Sequence, residues 1–191
     1  MVDFKTLSDD DVRRLVRDSK TYLNKSLSYV KLLNAQRDFS SALAEGKMRF
    51  GGELRQWQEE LMKTITTTPD DRSVHWYIDR AGNRGKSYMC GHIQCHHNAF
   101  VSTGGKFANV AHVYNTEPIV IFDLPRSTEK SKDIYMLIDS LKSGCIFSPK
   151  WQSTCKIFDI PHVVVFANFE PDYAALSMDR WIIHDLDKVD S

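Results

Sequence analysis

The run Asp79-Arg80-Ala81-Gly82-Asn83-Arg84-Gly85-Lys86-Ser87 sets glycines, a lysine and a hydroxyl in the order that phosphate chemistry needs. Glycines let backbone N–H groups close around phosphate oxygens, the lysine reaches the β- and γ-phosphates, and the serine hydroxyl can hold Mg²⁺. The full pattern, G-x-x-x-x-G-K-[ST], asks for glycine at position 80. This chain has Arg80 there and supplies Gly82 instead. Read alone, the run leaves the site open. Its candidate phosphate contacts are Gly82, Asn83, Arg84, Gly85, Lys86 and Ser87, with Ser87 also a metal ligand.

Nucleotide hydrolysis requires more than a cradle: a metal anchor, a group that orients water, and positive charge for the transition state. Asp123 ends the apolar run Pro118-Ile119-Val120-Ile121-Phe122. A strand end beside the loop would direct its carboxylate toward Mg²⁺, whereas the plainer reading is a turn residue. Asn168 closes the run His162 to Ala167; its amide could orient water or contact a γ-phosphate, or simply turn the chain before Pro171. Arg180 lies in Leu176-Ser177-Met178-Asp179-Arg180-Trp181 and is either a surface ion-pair residue or an arginine reaching a neighbour's nucleotide. Cys90, His92, Cys95, His96 and His97 crowd together, but they fall on the helix after the loop and no second ligand cluster follows. They read as ordinary helix residues rather than a zinc site.

These residues must be positioned by strands and helices. Val74-His75-Trp76-Tyr77-Ile78 is a short β-rich run leading into the loop, and Lys86 to His97 suits a helix. That strand–loop–helix order makes the run a credible nucleotide site. A helix is expected from Glu53 to Ile65, with Leu54, Trp57, Leu61 and Ile65 on one face, followed by a turn-rich connector to Arg72. Lys130 to Ser143 reads as helix. Ile146-Phe147-Ser148 and Lys156-Ile157-Phe158 flank a polar segment in the manner of a hairpin, and Leu176 to Trp181 is strand-like. Strands alternating with helices indicate an α/β fold with a central, mainly parallel sheet. Before residue 50, Ser8 and Asp11 can form a capping box and Leu7 with Val12 a staple. Apolar residues then recur helically from Val12 to Leu33, and serines near 26–28 and 40–41 allow a break. The stripe must be buried on the next domain or on a neighbouring subunit.

Length and composition set bounds. A chain of 191 residues with an apolar fraction of 42% suits one domain, or one domain with a helical extension. Twenty-five basic and 25 acidic residues cancel, so any contact with nucleic acid must be local rather than a coating by bulk charge. No apolar run reaches the ~18 residues of a membrane helix, and the start of the chain lacks the apolar stretch of a secretory signal. Four cysteines without C-x-x-C spacing fit a reduced, intracellular protein.

In combination the motifs resemble a family: the superfamily 3 helicase domain of replication-associated (Rep) proteins of circular single-stranded DNA viruses and related plasmids. The likeness covers residues 51 to 187. It rests on Leu54 with Trp57-Gln58, Arg72 before Trp76-Tyr77, Asp79 with Gly82 to Ser87, Phe122 to Arg126, Ala167 to Pro171, and Ser177 to Trp181. The form D-x-x-G-N-x-G-K-S is usual there, which removes the objection to Arg80. The resemblance implies an AAA+-like P-loop ATPase fold preceded by a small helical segment. It implies Walker A at Gly82–Ser87, Walker B at Asp123, a polar sensor at Asn168 and an arginine finger at Arg180. A DNA-contacting hairpin would carry Lys150 at its tip and Lys156 as a second contact, with Trp151 either stacking on bases or packed. ATP and Mg²⁺ are the implied cofactors. Single-stranded DNA and a homo-oligomeric ring, typically a hexamer moving 3′→5′, are the implied partners, in rolling-circle replication and, for a virus, in the host nucleus. The expected division is residues 1–50 as oligomerisation helices and 51–191 as helicase.

Two features depart from the family. Many members carry a second acidic residue after the Walker B aspartate; this chain has Leu124, so the general base is unassigned and Glu129 is a remote option. The family's endonuclease domain is missing, and Tyr22-Leu23-Asn24-Lys25 matches its Y-x-x-K motif without the metal-binding histidine pair. That match reads as chance, and the chain as the helicase portion of a longer Rep. Two other functions fit a phosphate loop: a small nucleotide kinase, against which stand the loop's internal position and the lack of an arginine-rich lid, and an assembly module that binds nucleotide without turnover.

Overall fold

A computed structural model describes residues 35, 38–129, 131–150 and 153–188. The expectations for Ser8, for the stripe from Val12 to Leu33, for Tyr22 and Lys25, and for Lys130 and Trp151 lie outside the described residues. Residues 38–49 are helical, running through Ser40, Ser41 and Gly46. The chain divides into Met1–Gly46 and Lys47–Ser191, and the sheet belongs to the second unit.

The elements of that unit are α1 (Gln56–Ile65), β1 (Val74–Ile78), α2 (Lys86–His96), β2 (Ala99–Ser102), α3 (Phe107–Val113), β3 (Ile119–Asp123), α4 (Asp133–Lys142), β4 (Cys145–Ser148), β5 (Thr154–Ile157), β6 (His162–Ala167) and β7 (Trp181–Asp185). Five strands form one sheet in the order β2-β3-β6-β1-β7, and every pairing in it is parallel. The α/β class and the central parallel sheet are therefore as expected. A parallel strand covered on both faces reads as a continuous apolar run, and β6, buried along its whole length, is that strand. In β1, Val74, Trp76 and Ile78 enter one core with Phe122, Leu137 and Ile138, while Tyr77 enters the other with Trp57, Leu61, Met89 and Phe166. The period of two along a strand produces this division.

Several boundaries differ from expectation. Helix α1 begins at Gln56 because the Gln58 side chain accepts the Arg55 N–H at 2.9 Å, closing the first turn. A 3₁₀ turn, Arg126–Thr128, precedes α4. Strand β7 starts at Trp181, and Met178–Arg180 form a 3₁₀ turn rather than a strand. Arg72 stabilises that turn, donating to Asp179 at 2.6 and 2.9 Å and to Ser177 at 3.1 Å. Strand β2 and helix α3 lie outside the elements expected from the sequence. The hairpin is as expected: β4 and β5 pair antiparallel, Ser148 opposite Thr154.

A histidine pair crosses the β1–β7 edge, His75 Nδ1 lying 3.2 Å from His184 Nε2. Burial first, then the neighbouring His184, His162 and Lys142, bring His75 down to about 4, with Asp70 opposing weakly. Burial lowers His184 and His162 as well. These rings are neutral in the fold but take protons near 6.5 when unfolded. The contribution of His75 is thus full above pH 6.5 and is lost as pH falls toward 4, and the lowered His184 and His162 act in the same direction. Asp70 and Asp79 titrate below the ordinary carboxylate value and act only at lower pH. Moving from pH 7.5 to 5 is expected to cost on the order of 1–2 kcal/mol, discounted for partial solvent access. Urea midpoints at the two pH values measure it, and a flat profile would contradict it.

Candidate phosphate-binding site

In a parallel sheet the strands' carboxyl ends share one edge, where open α/β folds bind ligands. The register places Ile78 opposite both Ala167 and Asp185, and Asp123 opposite Phe166. The residues that follow β1, β3, β6 and β7 therefore meet at this edge. Backbone bonds fasten the crossing points: Asp79 N–H donates to Ala167 O at 3.0 Å and Leu124 N–H to Phe166 O at 2.8 Å.

The glycine run forms a left-handed loop here. Gly82, Asn83 and Gly85 have φ of 87°, 68° and 88°, a region that L side chains seldom enter. A Cβ at Gly85 would also sit 2.9 Å from Gln58 Nε2, which donates to the Gly85 carbonyl at 3.2 Å. Position 80 makes no such demand, since Arg80 is not among the residues with positive φ. Its side chain leaves the loop and binds Glu170, Asp185 at 3.1 Å and Asp187 at 3.3 Å. Arginine at the pattern's glycine position thus ties the loop to the ends of β6 and β7.

Lys86 opens α2 and is buried, its Nζ 2.7 Å from Asp79 Oδ2. Asp79, fully buried, also accepts the N–H groups of Gly82 at 2.6 Å and Arg84 at 3.2 Å. Burial raises its pKa, but Lys86 and the two amides overcome that and hold the carboxyl below its usual range. Ser87 Oγ donates to Asp123 Oδ2 at 3.0 Å. A hydroxyl and a carboxylate at this separation form the hard-oxygen set that suits Mg²⁺. Cys90 lies one helical turn beyond Lys86; burial, and then its bond to Asp123, push its thiol upward. Asn168 Nδ2 donates to the Asp79 carbonyl, and Arg126 donates to the Arg80 carbonyl at 3.0 Å. The structure brings Gly82 to Ser87, Asp123 and Asn168 together. Asp79, Gln58, Arg80 and Arg126 join them, and the sequence alone gives these four no role.

Three candidates lie elsewhere. Arg180 precedes Trp181, which pairs with Val74 at the opposite end of β1. Its Nη1 is 2.9 Å from Asp139 Oδ1. Lys156 Nζ donates to the carbonyls of Ala111 at 3.1 Å, His112 at 2.9 Å and Tyr114, so it caps the last turn of α3. Lys150 follows β4 and is half-buried. Leu124 is buried in the hydrophobic core. Among the described residues no cluster of three or more His, Cys, Asp or Glu could hold a metal, and none of the helices is long and apolar enough to cross a membrane.

No protein-family model matches the chain. Among curated proteins it is 32% identical over 194 residues to the master replication protein of Subterranean clover stunt virus, covering 95% of this chain and 66% of that one. It is 30% identical over 189 residues to the master replication protein of Banana bunchy top virus, covering 93% and 65%. Over 133 residues it is 35% identical to Para-Rep C10 of Milk vetch dwarf C10 alphasatellite, covering 67% and 47%. The chain spans about two thirds of the length of the master replication proteins it matches.

Proposed function

Because this chain belongs to the Rep proteins of circular single-stranded DNA viruses, we propose that residues 51–191 form an Mg²⁺-ATP-dependent DNA helicase serving rolling-circle replication. The observation that carries this is the bond from Ser87 to Asp123 beside a buried Lys86, at the edge where the parallel strands end. Gly82 to Lys86 cradle the phosphates, Lys86 reaches the β- and γ-phosphates, and Ser87 with Asp123 hold the metal. When bound, Mg²⁺ neutralises charge developing on the transferred phosphoryl group. Asn168, tied to the Asp79 carbonyl, orients water or the γ-phosphate.

Arg180 stands a strand's length, roughly 15 Å, from the loop of its own chain. A role at nucleotide therefore requires a neighbouring subunit, in keeping with a homo-oligomeric ring, typically a hexamer, to which residues 1–50 would contribute. The hairpin roots at that same end, where Lys156 meets the carbonyls leading to β3. Lys156 then sets the hairpin's angle and Lys150 meets single-stranded DNA. A ring that collects one lysine per subunit can grip a phosphate backbone although each chain is neutral.

Measuring solution mass with and without ATP and single-stranded DNA tests the assembly, and product analysis tests the chemistry. Free phosphate released in a DNA-stimulated reaction is the expected product; a phosphorylated acceptor would instead identify a kinase, and binding without turnover an assembly module. Lys150→Ala is expected to abolish stimulation by single-stranded DNA and to weaken DNA binding about tenfold at low salt, less so as salt rises. Undiminished stimulation in that variant would count against the hairpin's role.

A further inference from the structure

Asp79 is a fully buried carboxylate whose three donors all belong to the phosphate loop: Gly82 N–H, Arg84 N–H and Lys86 Nζ. A pair of anionic oxygens gripped by loop amides and the loop lysine repeats, with a carboxylate, the contacts a phosphate would make. We propose that Asp79 is a built-in stand-in for phosphate, holding Lys86 while the loop lacks nucleotide and yielding it to a nucleoside triphosphate. The proposal rests on reading Gly82–Ser87 as a phosphate loop and adds what occupies that loop beforehand.

The physical need is plain. Lys86 is buried, and a buried ammonium without a counter-charge is strongly unfavourable. Asp79 meets that need, but a ligand must then displace a carboxylate seated 2.7 Å from the ammonium. A triphosphate presents several anionic oxygens to Lys86 and the amides at once, whereas a single phosphate offers little more than Asp79 already does. The placeholder thus favours polyphosphate ligands and lowers the affinity of all of them. In the exchange the two donors to Asp79 Oδ2, Lys86 Nζ and the Arg84 N–H, turn to the ligand. Asp79 Oδ1 keeps the Gly82 amide, and the Asp79 carbonyl stays fastened by Asn168. The neighbouring Arg80 stays fastened to Glu170, Asp185 and Asp187. Asp79 is in this sense a positioning residue, acting on the ligand through Lys86.

Asp79→Asn separates this from a purely structural role, because its amide oxygen can still accept the Gly82 N–H while the charge on Lys86 goes unopposed. Calorimetry with a non-hydrolysable ATP analogue and Mg²⁺ should show binding at least about tenfold tighter than in the unmodified protein. The melting temperature without nucleotide should fall, and saturating analogue should recover most of the loss. A folded Asp79→Asn protein that binds the analogue equally or more weakly would overturn the proposal. Should that variant fail to fold, the Asp79 carboxyl ¹³C resonance of the unmodified protein answers the question. It should shift on saturation with the analogue as Lys86 departs, and an unmoved resonance overturns the placeholder. Lys86→Ala guards the underlying reading: undiminished analogue binding there would sink the phosphate loop itself. Lost binding there, together with weaker binding in Asp79→Asn, would sink the placeholder alone.

Discussion

Replacing Lys86 by alanine is expected to bring ATP turnover down to background, a loss of at least about 10³-fold, or roughly 4 kcal/mol of transition-state stabilisation. Arg84, the loop's other cation, lies ahead of Gly85, whereas Lys86 opens α2 and pairs with Asp79. Arg80 is committed to three carboxylates at the ends of β6 and β7, and the described contact of Arg126 is with the backbone of residue 80. The same substitution strands the buried carboxylate of Asp79, and breaking a buried pair costs about 3–5 kcal/mol of stability. Turnover must therefore be compared in protein shown to be folded. The double variant Asp79→Asn/Lys86→Met removes both charges and is expected to recover much of the lost stability without recovering turnover. Full turnover by folded Lys86→Ala would refute the ATPase assignment. Recovery of turnover in the double variant would show that Lys86 matters only as the partner of Asp79.

The contrast between what was and was not legible in the sequence follows from range. Asp123 and Asn168 could be placed because each ends an apolar run long enough to be a buried strand, and parallel strands deliver their ends to one edge whatever their order. Arg80 could not be read, since its partners lie 90 to 107 residues away and only the order β6-β1-β7 brings them together. Asp79 was visible as a letter of the motif but not as a ligand of Lys86, because a carboxylate at a strand end has no local mark of where it will turn. Strand β2 is four residues at a sheet edge and only half-buried, too short to show a period. The apolar residues from Leu176 to Trp181 suggested a strand one turn early; Arg72, more than a hundred residues away, draws Asp179 and Ser177 into a 3₁₀ turn. Lys156 has the composition of a DNA contact. Its position against the last turn of α3 depends on where that helix ends, and no glycine follows Val113 and Tyr114 to announce it.

Arg180→Ala is expected to lower turnover in a uniform assembly by 10³-fold or more, the range in which an arginine supplied to a phosphoryl transition state acts, while each subunit still binds nucleotide. The decisive result comes from mixing. An Arg180→Ala subunit retains its own loop, and a Lys86→Ala subunit retains its own Arg180, so each uniform assembly is inactive for a different reason. Where the two alternate, the loop of the first faces the arginine of the second and a complete site returns. Turnover in the mixture is therefore expected to rise well above either parent. If Arg180 served its own chain, no mixed interface could be complete and the mixture would stay inactive; β7 already sets it a strand's length away from that loop. A structural role is tested separately through Asp139, its partner at 2.9 Å. Asp139→Asn removes the ion pair and leaves the guanidinium. An arginine that merely braces α4 would make Asp139→Asn as damaging as Arg180→Ala, whereas an arginine directed at a neighbour's phosphates leaves Asp139→Asn near full turnover. Equal losses in the two variants, with no recovery on mixing, would leave Arg180, whose side chain is largely buried beside Asp139, as a brace within its own subunit.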